Sequence, residues 1–350
     1  MTRTVTIALD AMGGDRAPDI VIKGIKRARK RFPETRFLLF GDAKKLEKLL
    51  KKKAKKARDA CEIRHTEDIV SNDEKVAVAL RQGRSSSMWL AIQAVKKGEA
   101  DAVVSAGNTG AYMAMSKLLL RTLPGIDRPG FASVLPTIRG ESIMLDLGAN
   151  AECNANNLVE FALMGEVFAR ILLGVKHPTV GLLNIGSEEL KGTDTLREAA
   201  DVLRQAESQM EFTGFVEGDD IGKGTVDVIV TDGFTGNVAL KTVEGTARLY
   251  SHFLKSAFRS SLLSKLGYLL ARSALDKVKA RTDPRRYNGA LLLGLNGIAV
   301  KSHGGTDGLG FANAIGVAVD LIQQDLNQGI GTELARFKES RQSSLPVDAA

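Results

Sequence analysis

Asp101-Ala-Val-Val-Ser-Ala-Gly-Asn-Thr-Gly110 carries the pattern that decides the fold. A short apolar run closes at Ser105, a glycine-bearing turn follows, and a helix-period segment then extends to about Arg121. The same succession recurs in both directions. Residues 5–10 lead into Gly13-Gly14-Asp15 and a helix opened by Pro18, whose fixed φ suits a first turn. Residues 37–40 lead into Gly41-Asp42 and a lysine-rich segment over 43–58, and Ser71-Asn72-Asp73-Glu74 reads as a capping box that starts another helix. Further on, residues 142–147 end in Gly148-Ala149-Asn150 ahead of a long helix over about 156–173. Residues 179–185 run into Gly186-Ser-Glu-Glu-Leu-Lys-Gly192, and 226–231 into Asp232-Gly-Phe-Thr-Gly-Asn237. An apolar stretch within 286–305 ends at His303-Gly304-Gly305, and a last helix covers about 308–327.

Buried strands alternating with helices predict a three-layer α/β/α fold around a mostly parallel central sheet. No repeat of fixed period and no linker rich in Pro, Gly or Ser interrupts the scheme. Residues 1–337 are therefore expected to form one α/β domain, with or without a division into two lobes, and 338–350 a disordered tail.

Composition narrows the function. Apolar residues at 44% and charged residues at 26% are ordinary for a globular chain of 350 residues. Aromatics are only 5%, with Trp89 the single tryptophan, which speaks against a base-stacking nucleic-acid binder. The net charge of +8 fits an anionic substrate, an acidic protein partner or an anionic membrane surface. Without any nucleic-acid motif beside it, no nucleic-acid partner is expected. Cys61 and Cys153 are too few for a disulfide framework and read as buried, inert thiols. The histidines at 65, 177, 252 and 303 lack metal-ligand spacing, so no metal or other cofactor is expected. The opening residues run straight into a strand-like segment without a signal-peptide pattern, and no apolar run approaches the roughly 18 residues of a membrane span. A cytoplasmic protein is the expectation.

The glycine loops carry the chemistry. In open α/β sheets ligands sit beyond the carboxyl ends of strands, and loops after parallel strands emerge on one side, so several of these loops are expected to line a single cleft. Each precedes a helix, whose free N–H groups favour an anion, and glycine lets the backbone approach a phosphate. Neither GxGxxG nor GxxxxGK[ST] occurs where a nucleotide site requires it. Taken alone, any one loop is explained by an ordinary tight turn.

Taken together, Asp10-Ala-Met-Gly-Gly-Asp15 with Pro18, Ser105-Ala-Gly-Asn-Thr-Gly110, Asp146-Leu-Gly-Ala-Asn150, 186–192 and 231–237 closely resemble the PlsX family of bacterial acyl-[acyl-carrier-protein]:phosphate acyltransferases. The resemblance runs in order from about residue 5 to 335, leaving out the lysine run at 44–58. It implies a fold similar to phosphotransacetylases and isopropylmalate-type dehydrogenases, and a homodimer. It also implies acyl carrier protein and inorganic phosphate as substrates, and a product passed to a membrane glycerol-3-phosphate acyltransferase.

Such a reaction places phosphate and a developing oxyanion in one site, so aimed cations and N–H donors should dominate. Lys191, in a glycine-flanked loop, and Asn237, near a helix start, are the expected catalytic residues. By the resemblance, Gly13, Gly14, Asp15, Asn108, Thr109, Gly110, Asn150, Ser187, Glu188, Asp232, Gly233, Thr235 and Gly236 line the substrate or phosphate site, while His303, beside Gly304-Gly305, reads either as a neighbour of that site or as a structural loop histidine. Arg81, Arg84 and 85–87 form a second phosphate-like cluster, equally readable as a solvated helix end. Rival readings are a short-chain phosphotransacetylase using coenzyme A, a decarboxylating dehydrogenase, for which no nicotinamide or metal motif is found, and a non-catalytic membrane scaffold.

Residues 248–281 hold eight Lys/Arg and one acid, Asp276. Apolar side chains fall at helical spacing on both sides of Ser260-Ser261, which predicts two amphipathic helices meeting at a corner within 245–281. Phe258, Leu262, Leu263, Leu266, Leu269 and Leu270 are expected either to contact a membrane surface peripherally or to pack in a dimer interface.

Overall fold

Side chains alternate between two apolar cores along the first strands, and this dictates the layering. In β1 (Thr6–Asp10), Ile7 and Leu9 enter one core and Ala8 the other; in β2 (Arg36–Gly41), Phe37 and Leu39 oppose Leu38 and Phe40. A sheet buried on both faces needs helices on both. In this computed structural model, which describes residues 4–205 and 210–344, α1 (Asp19–Arg31), α2 (Ala43–Lys53), α6 (Ala155–Leu173), α7 (Asp194–Arg204), α11 (Gly308–Gln323) and α12 (Leu326–Ser344) feed the first core. The second core takes α3 (Val76–Gln82), α4 (Ser87–Lys96), α5 (Thr109–Leu120) and α8 (Asp220–Lys223).

The other strands are β3 (Cys61–His65), β4 (Ala102–Ser105), β5 (Gly130–Pro136), β6 (Glu141–Leu145), β7 (Thr179–Leu183), β8 (Glu211–Val216), β9 (Val228–Val230), β10 (Ala290–Leu293) and β11 (Ile298–Lys301). All belong to one sheet, in the order β3-β2-β1-β4-β11-β10-β5-β6-β9-β7-β8. Pairing is mostly parallel, as the sequence predicts. Three central steps, β11 to β10, β10 to β5 and β5 to β6, are antiparallel. An odd number of reversals turns the strand sense over, so β6, β9, β7 and β8 run opposite to β1, β2, β3, β4 and β11.

Several sequence expectations change. Edge strands β3 and β8 escape the apolar-run pattern because an edge leaves polar side chains in place, as in Cys61-Glu-Ile-Arg-His65. At the capping box only the Ser71 N–H to Glu74 Oε2 bond forms (3.2 Å), and the helix begins later, at Val76. The tail expected from residue 338 is helical in α12 as far as Ser344, anchored by buried Leu334 and Phe337; residues 345–350 lie outside the described residues. The segment at 245–281 is two helices, α9 (Gly233–Arg259) and α10 (Leu262–Arg281), turning at Ser260 and Ser261, where Ser261 Oγ accepts from Ser264 N at 3.0 Å. No residue of α10 is buried. Among the described residues, no helix is long and apolar enough to cross a membrane.

Helix α1 sits tightly on α11 through two glycines. A Cβ on Gly308 would lie 2.4 Å from Lys23 Cβ, and one on Gly24 2.7 Å from the Phe311 ring. Gly308→Ala should therefore force the helices apart and cost about 1–3 kcal/mol in denaturant unfolding. Gly331→Ala, at an exposed point of α12 with nothing within 4 Å, should instead add about 0.5–1 kcal/mol. Equal effects at the two positions would contradict the α1–α11 contact.

Candidate functional site

Asp10 ends β1 and is almost fully buried. It accepts from the N–H groups of Met12 (3.3 Å) and Gly13 (3.1 Å) and from the hydroxyls of Ser87 (2.6 Å) and Ser105 (2.7 Å). Four donors hold the carboxylate charge inside the protein and pin three segments to one point. Gly13 is required there, because a Cβ would stand 2.3 Å from Asp10 Oδ2 and 2.8 Å from Gly107 N. Next in the chain, Asp15 is exposed; its N–H donates to Gly304 O (3.2 Å), and its Oδ1 accepts from Asn72 (2.7 Å).

Asn108 caps α5 by accepting from Ala111 N (3.0 Å), and its amide donates to the carbonyls of Ser71, Asn72 and Glu74 at 3.0–3.2 Å. The residue is therefore a clamp for the 71–74 loop, with its donors already engaged. Thr109 lies exposed beside it, and Gly110 makes room for Val76. His303 is exposed as well; its Nδ1 accepts from Gly305 N (3.1 Å), which leaves the proton of the neutral ring on Nε2. Loops 10–15, 105–110 and 301–305 thus meet beyond the neighbouring strands β1, β4 and β11. In the cluster at 81–87, Ser86 caps α4 and Ser87 is bound to Asp10, while Arg81 and Arg84 are exposed.

A second cluster forms beyond β6, β9 and β7. Asp146, fully buried, accepts from the N–H groups of Phe131 (2.9 Å), Gly148 (3.1 Å), Ala149 (3.0 Å) and Asn150 (2.7 Å) and from the Asn150 amide (2.9 Å). Burial pushes its carboxyl up while these donors pull it back. Asn150 also donates to Pro129 O at 2.8 Å. Gly233 and Gly236 pack on the same loop; their Cβ atoms would meet Asn150 O at 2.5 Å and Asp146 O at 2.0 Å. Asp232 caps α9 and accepts from Thr235 N (2.8 Å) and Thr235 Oγ1 (2.7 Å). In the loop after β7, Ser187, Glu188 and Lys191 are exposed, and Asn184 donates to Lys191 O (3.1 Å). Among the described residues the ammonium of Lys191, the amide of Asn237 and the hydroxyl of Ser187 have uncommitted donors here; Asn237 lies beside Gly148.

The single cleft expected from the sequence is thereby corrected. The two clusters follow strands of opposite sense, and β11 and β6 are three strand spacings apart, roughly 14 Å. Among the described residues no hydrogen bond or ion pair joins them, and one phosphate cannot touch both.

Sequence reasoning gave Asp10 and Asp146 no role, although each stands at a strand end before a glycine loop. It also missed Lys301, whose signal is a lone charge closing the apolar run Ile298-Ala-Val-Lys301. Lys301 is buried below the first cluster, and its Nζ donates to Ser302 O at 2.5 Å. Burial lowers its pKa from 10.5 to about 8, against the opposing pull of Asp10 and Asp15. Between those pH values the unfolded chain holds a proton that the folded chain does not, so stability rises with pH across the window. Below about pH 8 the full cost, about 3 kcal/mol, is present. Lys301→Met should flatten the rise in unfolding free energy between pH 8 and 10.5, and an unchanged slope would place the titration elsewhere.

Comparison with known proteins agrees with this architecture. The family described as fatty acid synthesis protein matches residues 5–329. A phosphate acyltransferase from Rhodospirillum rubrum is 66% identical over 97% of this chain and 97% of its own. One from Paramagnetospirillum magneticum is 61% identical over 100% of this chain and 99% of its own. Among solved structures, a phosphotransacetylase from Streptococcus pyogenes aligns with a TM-score of 0.61 at 15% identity over 94% of each chain. A branched-chain phosphotransacylase from Enterococcus faecalis aligns at 0.57 and 14% identity, over 91% of this chain and 99% of that one. Identities this low speak to the fold alone, and they bear out the expected three-layer α/β/α architecture. With a family match over most of its length and relatives above 60% identity from end to end, the chain belongs to the fatty acid synthesis protein family, together with these phosphate acyltransferases.

Proposed function

We propose that this chain is a phosphate acyltransferase, moving a long-chain fatty acyl group from acyl carrier protein to inorganic phosphate and releasing acyl-phosphate for phospholipid synthesis. The observation that carries the reading is the 66% identity to the Rhodospirillum rubrum phosphate acyltransferase along nearly the whole of both chains. A phosphate oxygen attacks the thioester carbonyl, and a C–O bond forms as negative charge moves to the carbonyl oxygen. The tetrahedral species then collapses, the C–S bond breaks and the carrier thiolate leaves. A thiol of pKa about 8.5 leaves without a strong general acid, and phosphate supplies its own nucleophile, so no catalytic triad is required. Donors aimed at the phosphate and the oxyanion are what the reaction demands.

Lys191 and Asn237 are our assignment for those donors, supported by their uncommitted side chains beside one another's loops after neighbouring strands β7 and β9. Gly233, Gly236, Asp232, Thr235, Asn150, Ser187 and Glu188 shape that pocket. Gly13, Gly14, Asp15, Asn108, Thr109, Gly110 and His303 line the substrate farther from the reacting carbonyl.

Purified protein should release carrier thiol from long-chain acyl carrier protein only when phosphate is added, and acyl-coenzyme A should serve poorly. Lys191→Ala and Asn237→Ala should each lower turnover about 10²-fold with unfolding midpoints unchanged, since both residues are exposed. Release without phosphate would mean a thioesterase, absence of turnover a scaffold, and two variants above half activity a different site.

We further assign the α9–α10 hairpin to an anionic membrane surface, which would deliver the hydrolysable product to a membrane glycerol-3-phosphate acyltransferase. Support comes from Leu262, Leu263 and Leu270, each more than 80% exposed, with Leu266 and Leu269 beside them amid basic residues. Phe258 is half-buried against Tyr268, with ring centroids 5.5 Å apart, so it braces the two helices. Each leucine inserted contributes about 1.5–3 kcal/mol at most. Leu263→Glu with Leu266→Glu should release the protein from anionic liposomes and leave turnover of soluble substrate intact. Loss of a homodimer in that variant, with liposome binding retained, would assign the stripe to a subunit interface.

A further inference from the structure

Residues 23–58 contain sixteen Lys/Arg against three Asp/Glu, a net charge of +13. The whole chain carries +8, so the remaining residues together carry −5. All the excess positive charge therefore comes from one segment. The fold gathers that segment at one corner, where α1, α2 and the short 3-10 turn at Lys55–Ala60 pack beside one another over the edge strands. Ion pairs frame the surface. Lys23 and Lys53 both reach Asp19, tying α1 to α2, and Arg58 reaches Glu47, tying the turn to α2. With Lys45 on Asp42, these contacts occupy Asp19, Asp42 and Glu47. Lys26, Lys30, Lys48, Lys52, Lys55 and Lys56 are exposed and make no ion pair among the described residues.

The character of this face selects its partner. Among the described residues no large apolar side chain is exposed before Ile69, and Leu46 and Leu50 of α2 are buried, so nothing here can insert into lipid. Among the described residues this face has no exposed aromatic on which a base could stack. What remains is a rigid, purely electrostatic surface, suited to a folded acidic partner. The chain that leaves β1 through loop 10–15 of the first cluster continues into α1, whose first-turn Asp19 binds Lys23 and Lys53, so the face is joined to that loop through the first turn of α1.

We infer that the lysine face of α1, α2 and the 55–60 turn is the docking surface for the acidic carrier protein that presents the acyl thioester. This inference rests on the acyltransferase reading and adds to it the place where the carrier lands. Long-range attraction steers the encounter, and salt weakens it within a Debye length of about 8–10 Å. The thioester chemistry itself does not involve these lysines.

The test is the full-length variant Lys48→Glu/Lys52→Glu/Lys55→Glu, assayed at low salt with phosphate, on acyl carrier protein and on an acyl-pantetheine thioester that lacks the protein. The Michaelis constant for the carrier substrate should rise about 10-fold or more and its salt dependence should flatten, while the protein-free thioester reacts at the parental rate. An unchanged Michaelis constant, or equal losses on both substrates, would overturn the assignment. Loss of binding to anionic vesicles or to a DNA duplex, with carrier kinetics intact, would overturn it in favour of that partner. Direct titration of holo carrier protein against parent and variant tests the surface independently of turnover. If the parent binds the carrier and the variant does not, docking stands even where the activity reading fails; if neither binds, docking fails.

Discussion

Two buried carboxylates organise this molecule. Asp10 at the end of β1 and Asp146 after β6 each gather the N–H groups of the glycine loop that follows them. Neither partner could be buried alone. An ionised carboxyl without donors would be very costly inside the protein, and inward-facing N–H groups without an acceptor would each lose roughly 1–3 kcal/mol. Each half of the sheet thus closes the carboxyl end of a strand with the same device. The loops turn in tightly around the acid, which is why Gly13, Gly233 and Gly236 tolerate no Cβ.

This device explains why so many polar residues of the glycine loops are not free to act on a substrate. Asn108, Asn150, Asp232 and Thr235 satisfy helix ends and backbone carbonyls, and they hold the loops rigid. Lys191 and Asn237 stand on that frame with donors uncommitted, the condition a preorganised anion site requires. Lys301 is a different case, a buried cation below the first cluster whose desolvation costs stability. Natural proteins keep such costs where a charge serves a loop or a ligand.

The surface divides into two regions with different physics. The α1–α2 corner is densely basic and has no exposed large apolar side chain, so its interactions are long-ranged and weakened by salt. The α9–α10 hairpin combines basic residues with exposed leucines, so its interactions keep an apolar part that salt does not screen.

Local sequence was enough to determine the three-layer architecture, because apolar runs, glycine turns and helical periodicity are properties of neighbouring residues. The same holds for the corner at Ser260-Ser261 between two amphipathic helices. The edge strands β3 and β8 were less legible, since an edge relaxes the demand for apolar side chains. Tertiary structure alone decided the rest. The antiparallel steps at β10 and β5 turn half the sheet over and separate loops that look equivalent in the sequence into two clusters. Which asparagine caps a helix and which keeps a free amide likewise depends on partners many residues away, as Asn108 does on Ser71–Glu74. Spacing along a chain fixes periodicity, whereas strand sense and hydrogen-bond commitment are fixed only when distant segments meet.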